Sequence, residues 1–436
     1  MKVRSNPLIT VAKMISIIVF SVIIFAAGAV AMQKCLWPFC RGYSKFDFST
    51  IVLTPPEKNI APVAFFHSQF LDGPIQIFDL KDESKYGDLS YFDGHFFYID
   101  QAGRLFVLDH SGHSGDILDN IISSDEIPNN REEFRNFLRN MDRLVYDAWF
   151  GVKGLELKRV DGKVFSYALS SYFDPDKKCV QLALFRKEIL STNKTLWEKL
   201  FLTTPCVTDF YDIPTYGSRL GSVGGKVKSV DDTRLLLTVG DSDFDGLTGP
   251  ELVTSDSTHF GKTLLVDNDG KFLGIFTRGH RGPQGLLVTP EGIYESEHGP
   301  SGGDELNLLE QDADYGWPRV TYGTDYGKKV WPPSPTNGRH DGYRQPLFSW
   351  TPSIAASGLT MIRCGAECPW DRNIFLSTLY AKTLFRVTLA EGRVVTVEPI
   401  PIGYRIRSIT FGGKKIVFKT DPIVGVAKIG MIDVAF

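Results

Sequence analysis

The sequence predicts an all-β fold, a six-bladed β-propeller, preceded by one N-terminal transmembrane helix. Hydrophobic residues make up 43% of the 436 residues, which is enough for a large core. The 41 glycines, 24 prolines, 31 phenylalanines and 16 tyrosines suit short strands that are joined by tight turns. Pairs of short strand patterns recur along most of the chain, and a single uncharged apolar segment lies near the N-terminus.

The apolar segment, residues 14–32, contains no charged side chain. As a helix it would extend about 28 Å, close to the thickness of the hydrocarbon layer of a membrane. A short basic flank ahead of the first apolar segment usually stays in the cytoplasm. The expected order is a cytoplasmic N-terminus at 1–13, a transmembrane signal-anchor at 14–32, a juxtamembrane linker at 33–60, and a propeller at 61–436 on the periplasmic or extracellular side.

A cleaved signal peptide is the alternative to this anchor. Ala29-Val30-Ala31 has the small-x-small form that a signal peptidase accepts. The apolar segment is long for a signal peptide, which favours the uncut anchor. Both alternatives export the rest of the chain.

Six cysteines agree with export, because disulfide bonds persist in oxidising compartments. Sequence neighbours can pair as Cys35–Cys40, Cys179–Cys206 and Cys364–Cys368, although six cysteines allow fifteen connectivities. Zinc binding is the alternative, but no histidine lies at ligand spacing beside any of these pairs. We therefore expect disulfide bonds.

Short strand patterns with turn residues between them predict serial hairpins. The paired segments are 96–100 with 104–108, 154–160 with 163–169, 226–230 with 234–239, 263–266 with 272–276, 285–289 with 292–296, 373–378 with 383–389, and 406–411 with 415–419. Only residues 126–141 have a helical pattern. Serial hairpins are typical of sandwiches, barrels and propellers. Division of the hairpin region, roughly 370 residues, by six gives roughly sixty residues per blade, which favours the propeller.

The densest group of polar and glycine residues lies between Gly279 and Tyr326. It contains GHRGPQGL from Gly279, SEHGPSGGDELNL from Ser296 and YGWP from Tyr315. Glycines let backbone carbonyls turn towards a common point, and clusters of oxygen ligands suit Ca²⁺. Arg281 adds a planar fork of donors for a carboxylate. We expect a ligand- and cation-binding region here rather than ordinary turns.

These three motifs resemble the signature loops of the soluble glucose dehydrogenases and aldose sugar dehydrogenases that depend on pyrroloquinoline quinone (PQQ), the glucose/sorbosone dehydrogenase family. The resemblance covers about 215 residues, from near Gly221 to the C-terminus. It implies a six-bladed propeller that holds PQQ and Ca²⁺ at one end of its central channel. It also implies a sugar or polyol substrate.

The resemblance implies a set of cofactor and metal contacts at matching positions. The carbonyls of Gly299 and Pro300 correspond to ligands of the cofactor-bound Ca²⁺. The side chains that would contact PQQ are those of Arg281, Gln284, Arg405 and Arg407. A second, structural Ca²⁺ site follows YGWP in some members, and Asp325 with the carbonyls of Thr321 and Gly323 could supply it.

The catalytic positions that the resemblance implies are Asp241, Arg281 and Asp304. The family's general base is a histidine nineteen residues before the aspartate of a Gly-Asp pair, and that position is Ser222 here. A serine has no usable pKa for accepting a proton at neutral pH, whereas a positioned base is worth roughly 10²–10⁴ in rate. His298 is one candidate substitute, and a histidine hydrogen-bonded within its loop is the alternative.

Two further positions depart from the family pattern. The asparagine that follows the arginine is replaced by Gly282, and a cofactor-binding lysine of the sixth blade is replaced by Tyr380. Lys382 would compensate as a cofactor contact if the strand is regularly pleated, because residues two apart then share a face.

Asp241, Asp243 and Asp245 form a D-x-D-x-D-G sequence with Gly246, a spacing that is typical of calcium loops. Glu251 is one residue short of the helix–loop–helix register, and no flanking helices are apparent. The sequence therefore allows two interpretations of this loop. One is a Ca²⁺ site with Asp243 and Asp245 as ligands, and the other is a solvated acidic turn.

These observations support two functions. The first is a membrane-anchored, exported dehydrogenase that uses PQQ and Ca²⁺ on sugars or alcohols, with an electron acceptor or protein partner at the membrane. The second is a catalytically inactive, Ca²⁺-stabilised propeller that binds a glycan or a protein. Ser222 is the reason that both remain open. A purely structural propeller would not explain the retained arginines, and the net charge of −3 gives no indication of nucleic-acid binding.

Overall fold

Six antiparallel sheets follow one another along the chain in the computed structural model. The structure describes residues 63–69, 71–80, 85–108, 120–191, 195–211, 219–246, 250–326 and 339–434. The predicted cytoplasmic segment (1–13), the predicted anchor (14–32) and the predicted linker (33–60) lie outside the described residues. Within the described ranges, no helix is both long and apolar enough to cross a bilayer.

The described strands form six sheets, the blades, in chain order. The chain enters through β1 (Val63–His67) and β2 (Asp72–Asp79), which belong to the last blade. Blade 1 is β3 (Asp88–Phe92), β4 (His95–Ile99), β5 (Leu105–Val107) and β6 (Asn120–Ser123), and blade 2 is β7 (Val152–Val160), β8 (Lys163–Asp174), β9 (Cys179–Ile189) and β10 (Glu198–Leu202). Blade 3 is β11 (Gly224–Ser229), β12 (Arg234–Val239), β13 (Lys262–Asp267) and β14 (Phe272–Arg278).

The remaining blades complete the ring. Blade 4 is β15 (Gly282–Thr289), β16 (Gly292–His298), β17 (Asp304–Leu309) and β18 (Phe348–Trp350), and blade 5 is β19 (Ala356–Met361), β20 (Ile374–Thr378), β21 (Thr383–Ala390) and β22 (Arg393–Pro401). Blade 6 is β23 (Ile406–Gly412), β24 (Lys415–Thr420) and β25 (Lys428–Asp433), extended by β2 and then β1. The pairing of β2 with β25 joins the two ends of the propeller. The predicted all-β, six-bladed propeller is therefore confirmed.

Local turn chemistry explains why the hairpins were predictable. All seven strand pairs that the sequence predicts are antiparallel neighbours in the structure. In the hairpin of β7 and β8, the tight turn contains Asp161 and Gly162, both with positive φ, which suits a short hairpin connection. Each blade buries the apolar side chains of its strands between itself and its neighbours, as Leu155, Ala168 and Phe185 show in the cluster between blades 1 and 2.

One helix, α1 (Arg131–Asn140), lies in the connection between blades 1 and 2 and confirms the predicted helix, although it begins later than residue 126. The N–H of Ile127 donates to the carbonyl of Ala102, and Pro128 follows, so the chain is extended before the helix. Phe134, on the buried face of α1, stacks on Phe150 with ring centroids 4.4 Å apart. A short 3₁₀ helix, Leu144–Trp149, then leads into β7.

Two disulfide bonds link parts of the described chain. Cys179 pairs with Cys206, and Cys364 pairs with Cys368, as the sequence predicts. The predicted third pair, Cys35–Cys40, lies outside the described residues. Disulfides rather than zinc ligands are therefore confirmed for these four cysteines.

The alternating strand directions bring certain connections to the same end of the propeller. Within a blade, the connection between the second and third strands lies at the end from which the next blade is entered. The connections between second and third strands at this end are 240–261, 299–303 and 379–382. The connections that enter the next blade at this end include 279–281 and 402–405. The motif residues are thereby gathered at one end of the central channel, although they are far apart in sequence.

Candidate functional site

Arg281 joins the two glycine-rich motifs at the entry to blade 4. Its N–H donates to Glu297 Oε2 at 2.6 Å. Its guanidinium Nη1 donates to the carbonyl oxygens of Gly299 at 2.8 Å and of His298 at 3.3 Å. The Trp317 ring centroid lies 5.4 Å from Cζ, so the side chain is fixed by a ring and by backbone acceptors.

A fully buried polar group supports Arg281 from within blade 4. His280 Nδ1 lies 3.1 Å from Glu297 Oε1, and its Nε2 lies 2.8 Å from Thr277 Oγ1. Asn307 Nδ2 donates to Glu297 at 2.9 Å and to Glu295 at 3.0 Å. Burial, with the neighbouring charge of Glu297, raises the pKa of Glu295 well above its ordinary value. These residues orient Glu297, which in turn holds the backbone of Arg281.

Asp304 is fully buried and accepts hydrogen bonds on both carboxylate oxygens. Oδ1 accepts from the N–H of Gly299 at 3.1 Å, and Oδ2 accepts from the N–H groups of Ile354 at 2.9 Å and Ala356 at 3.3 Å. The Ser353 hydroxyl lies 2.7 Å from both oxygens. Asp304 therefore positions the Gly299 loop against blade 5, and both of its carboxylate oxygens already accept hydrogen bonds.

The acidic loop after β12 packs against Arg281. The Asp241 N–H donates to the Arg281 carbonyl at 2.8 Å, and Asp241 Oδ2 accepts from Trp317 Nε1 at 2.9 Å. Carboxylate oxygens of Asp241, Asp243 and Asp245 lie within 4.8 Å of one another. Burial and the charge of Asp243 raise the pKa of Asp241 well above its ordinary value, and burial raises the pKa of Asp243 to about 6. Because two of the three are buried, the turn is not a solvated one.

Arg219 and Ser222 form the other wall of the acidic loop. Arg219 Nη1 donates to the carbonyls of Ser242 at 2.9 Å and Asp243 at 2.8 Å, and its Cζ lies 4.0 Å from the centre of the Phe244 ring. Ser222 is buried, and its carbonyl accepts from the Ser242 N–H at 3.4 Å. The position at which the sequence lacks the family's histidine therefore lies beside the acidic loop.

Arg405 and Arg407 flank Asp421 at the entry to blade 6. Arg407 Nη2 pairs with the Asp421 carboxylate, and Arg405 Nη2 lies 3.6 Å from the same oxygen. Arg407 Nη1 donates to Gln284 Oε1 at 3.1 Å, which links blade 6 to blade 4 across the channel. Although burial opposes it, Arg407 holds the pKa of Asp421 below its ordinary value. Arg407 Nε is inaccessible and has no hydrogen-bond partner among the described residues.

His298 lies between the two groups of arginines. Burial lowers its pKa against the opposing charge of Asp304, and Arg281 and Arg407 lower it further. Its Nε2 atom is inaccessible to solvent and has no hydrogen-bond partner within the described ranges. The ring also makes a hydrogen bond with the backbone of Ala356, which agrees with a hydrogen-bonded histidine, the alternative that the sequence gives.

Two further predicted residues, Lys382 and Asp325, lie in loops. Lys382 is exposed, with a positive φ of 54°, in the turn between β20 and β21, and Tyr380 in the same turn is 74% exposed. Both residues therefore lie in a solvent-exposed turn at the end of the channel that holds the motif residues. Asp325 is half-buried in a loop that contacts the Gly299 loop through the Ser301–Thr324 backbone pair.

Lys153, at the start of β7, is a channel residue that sequence reasoning missed. Its Nζ lies 3.5 Å from the centre of the Tyr86 ring, and Arg407 Cζ lies 5.1 Å from the same centre. We call Lys153, Gln284 and Arg407 the channel floor, since they come from three inner strands at the same level. The only signal in the sequence is a lysine one residue before a predicted inner strand.

A buried network closes the channel beneath this floor. Asp88 Oδ1 accepts from Lys226 Nζ at 2.8 Å and from Ser408 Oγ at 2.5 Å, and Asp88 Oδ2 accepts from the Leu155 N–H at 3.0 Å. On its other side lies a cavity of about 340 Å³ between the far ends of the inner strands. The motif residues and this cavity are thus at opposite ends of the channel.

Comparisons with known proteins relate this chain to two sugar dehydrogenases. Escherichia coli aldose sugar dehydrogenase YliI is 27% identical over 226 residues, which are 47% of this chain and 59% of that protein. Quinoprotein glucose dehydrogenase B of Acinetobacter calcoaceticus is 43% identical over 83 residues, 16% of this chain and 17% of that protein. The aligned parts therefore span less than two thirds of either relative.

The fold has a solved counterpart. A crystal structure of glucose dehydrogenase superposes with a TM-score of 0.64 at 23% identity, covering 82% of this chain and 99% of that one. The family model for glucose/sorbosone dehydrogenase matches residues 203–422, just over half of the sequence, and includes the acidic loop, both glycine-rich motifs and the arginine pair. On this match, the chain belongs to the glucose/sorbosone dehydrogenase family.

Proposed function

We propose that this propeller is an exported dehydrogenase that oxidises a sugar or polyol with PQQ and Ca²⁺ at the end of the channel that holds Arg281. The observation that carries the proposal is the convergence of Arg281 and Gln284, from blade 4, with Arg405 and Arg407, from blade 6. The names of the quinoprotein and aldose sugar dehydrogenase relatives support it. We further propose that residues 14–32 tether the chain to the membrane.

The residues present fit an aromatic ligand with several carboxylates. Arg407 Nε and His298 Nε2 are inaccessible polar atoms that lack partners among the described residues, and a bound ligand would satisfy them. Arginine is suited to carboxylates because its guanidinium offers parallel donors. When bound, PQQ would supply the hydride acceptor of the reaction.

The Gly299 loop fits a hard cation. The Gly299 N–H donates to Asp304, which fixes the direction of the Gly299 carbonyl. That carbonyl accepts from Arg281 Nη1. A carbonyl oxygen has two lone pairs, and Ca²⁺ accepts backbone carbonyls as ligands. The three clustered carboxylates of Asp241, Asp243 and Asp245 are a second group of oxygen ligands, with Arg219 already bonded to the loop carbonyls.

The proposed catalytic residues lack an evident general base for proton transfer. Ser222 lies against the acidic loop and supplies no base, and Asp304 has both oxygens engaged. Arg281 and the Trp317–Asp241 pair remain to orient a hydroxyl group. We therefore expect a slow enzyme in which the missing base costs roughly 10²–10⁴ in rate.

A PQQ titration of the exported part, by absorbance and calorimetry with Ca²⁺ present, tests the proposal. Arg407→Gln should weaken binding at least tenfold, since it removes a charge-assisted contact. Arg363→Gln is the matched control, because Arg363 pairs with Glu291 near the other end of the channel. Turnover of an aldose panel with an artificial electron acceptor should be measured beside it, with Ser222→His expected to increase it.

The possible results separate the two functions. Binding with turnover in the wild type or in Ser222→His supports the dehydrogenase. Binding without turnover in either form favours the non-catalytic binding module. No detectable PQQ binding overturns the proposed cofactor. For the tether, retention of the full chain in alkali-washed membranes, and its release on deletion of residues 14–32, is the expected outcome.

A further inference from the structure

In this chain Tyr380 stands where the family has a cofactor-binding lysine, so a cationic contact from blade 5 is missing. Tyr380 and Lys382 are both exposed in the turn between β20 and β21, so neither is packed into the channel floor from blade 5. On the other side of the channel, Lys153 enters from blade 2. The residue is 5% exposed, although lysine is rarely buried without an ionic partner.

Lys153 is held in place by contacts that leave its charge uncompensated. Nζ donates to the Trp149 carbonyl at 2.9 Å and lies over the Tyr86 ring at 3.5 Å. Its carbon chain packs on Gly225, where an added Cβ would lie 2.7 Å from Lys153 Cβ. A side chain at position 225 would therefore displace the lysine from the channel.

The charges that face Lys153 are mainly positive. Arg407 reaches the same Tyr86 ring from blade 6, and Lys226 approaches from blade 3. Two carboxylates partly balance these cations, Asp421 beside Arg407 and Asp88 beside Lys226. Each carboxylate already has its own cation, so an anion on the channel floor would be attracted to Lys153.

We propose that Lys153 is a further cationic contact for the carboxylates of the channel ligand, supplied by blade 2 in place of the lysine that blade 5 lacks. The ligand class rests on the proposed function, namely an aromatic polycarboxylate such as PQQ. The chain would thereby keep the number of cationic contacts while changing the side of the channel from which one of them comes.

A proton should accompany the ligand. Burial, followed by Arg407 and Lys226, lowers the pKa of Lys153 well below its ordinary value, and a carboxylate beside Nζ would raise it again. Wherever part of the free protein carries neutral Lys153, binding takes up a proton. Affinity should then fall as the pH rises, and the effect should disappear with the amine.

The test is calorimetric titration at pH 8 in HEPES and in Tris, whose different ionisation enthalpies report the protons taken up. PQQ and benzene-1,3,5-tricarboxylate, a redox-inert aromatic polycarboxylate, are the two probes, with wild type, Lys153→Met and Lys153→Arg. Lys158→Met is the control, because Lys158 lies on the same strand but bonds Asn268 at 2.6 Å, away from the channel. Thermal unfolding of each variant checks that it is folded.

We expect Lys153→Met to weaken binding about tenfold or more and to abolish proton uptake, with Lys153→Arg keeping most of the affinity. Lys158→Met should keep both affinity and uptake. Equal affinity and equal proton uptake in wild type and Lys153→Met would overturn the inference while leaving the proposed function. Lys153-dependent binding of the tricarboxylate without PQQ binding would support the inference and overturn the proposed cofactor. Binding of neither probe would overturn both.

Discussion

The guanidinium of Arg281 donates to the carbonyl oxygen of Gly299 over 2.8 Å. Gly299 is also the residue whose carbonyl the family resemblance assigns to Ca²⁺, so a bound cation and the guanidinium would share one acceptor. Asp304 fixes the same residue by accepting from its N–H at 3.1 Å. The proposed cation subsite and the proposed anion subsite are therefore connected through a single residue.

Arg281→Gln should shift the two ligands in opposite directions. Without PQQ, removal of the guanidinium releases the Gly299 carbonyl and removes a repelling charge, so Ca²⁺ should bind more tightly. PQQ should bind at least tenfold more weakly, because a charge-assisted contact is lost. Calorimetry with each ligand alone measures both. Arg278→Gln is the control, because it removes a charge that pairs with Asp256 and makes no contact with Gly299; equal changes in the two variants would contradict the shared-acceptor argument.

Asp304→Asn should act mainly on stability and on the Gly299 loop. The amide can accept on one oxygen only, so buried N–H groups of Ile354, Ala356 or Gly299 lose a charged acceptor. Chemical denaturation should show a loss of about 2–3 kcal/mol. Ca²⁺ affinity should fall as well. Unchanged stability with a large loss of turnover would instead indicate that Asp304 takes part in the chemistry.

Asp88 and Lys226 should be strongly coupled in stability. Both are buried, and removal of one partner leaves an uncompensated charge in the channel, at a cost of about 3–5 kcal/mol. The double variant Asp88→Asn/Lys226→Met should cost clearly less than the sum of the single variants. Denaturant unfolding of the four proteins gives the cycle. Additive costs would mean that the two side chains do not depend on each other.

The sequence predicts those parts of the fold that are formed by residues close together in the chain. The segments 285–289 and 292–296 form a hairpin because alternation and a turn signal are adjacent in the chain, and they are β15 and β16. β18 (Phe348–Trp350) has only three residues and pairs with β17 after a long connection, so no local pattern indicates it.

The site divides in the same way. Arg281 and Gly299 lie in glycine-rich motifs that can be read directly. Lys153, Asp421 and Lys226 come from separate blades, and the level at which each meets the channel depends on strand register across sheets. Lys382 was expected at the cofactor on the assumption of a regularly pleated strand. Its left-handed conformation, in a turn, interrupts that pleat.

The disulfide between Cys179 and Cys206 should stabilise blade 2. It closes a sequence separation of 27 residues and lies beside the Val180–Val207 backbone pair. The chain-entropy relation gives about 3.5 kcal/mol for a loop of this length. The double variant Cys179→Ser/Cys206→Ser should lower the unfolding midpoint accordingly. Cys364→Ser/Cys368→Ser, which opens a separation of only 4 residues, should cost less, and the reverse order would contradict a mainly entropic effect.

His259 should make stability depend on pH in a defined window. Its Nδ1 accepts from the Thr204 N–H at 3.0 Å, and its ring packs between Phe201 and Phe272. Burial lowers its pKa from 6.5 to about 4, so the folded protein favours the neutral ring. The unfolded chain binds more protons between these values, and stability rises with pH there. The contribution is therefore complete above about pH 6.5 and is lost as the pH falls through 4.

His259→Asn keeps an acceptor for Thr204 but removes this titration. We expect the free energy of unfolding to change less between pH 4 and 6.5, by roughly 1–2 kcal/mol after allowance for the partial exposure of the ring. His67→Gln, at an exposed histidine, is the control and should keep the wild-type slope. Denaturant unfolding at several pH values measures the slopes. If His259→Asn kept the wild-type slope, titration of His259 would not be the source of this pH dependence. Asp243 and Glu305 could not replace it, because burial raises their pKa values and their contributions fall as the pH rises.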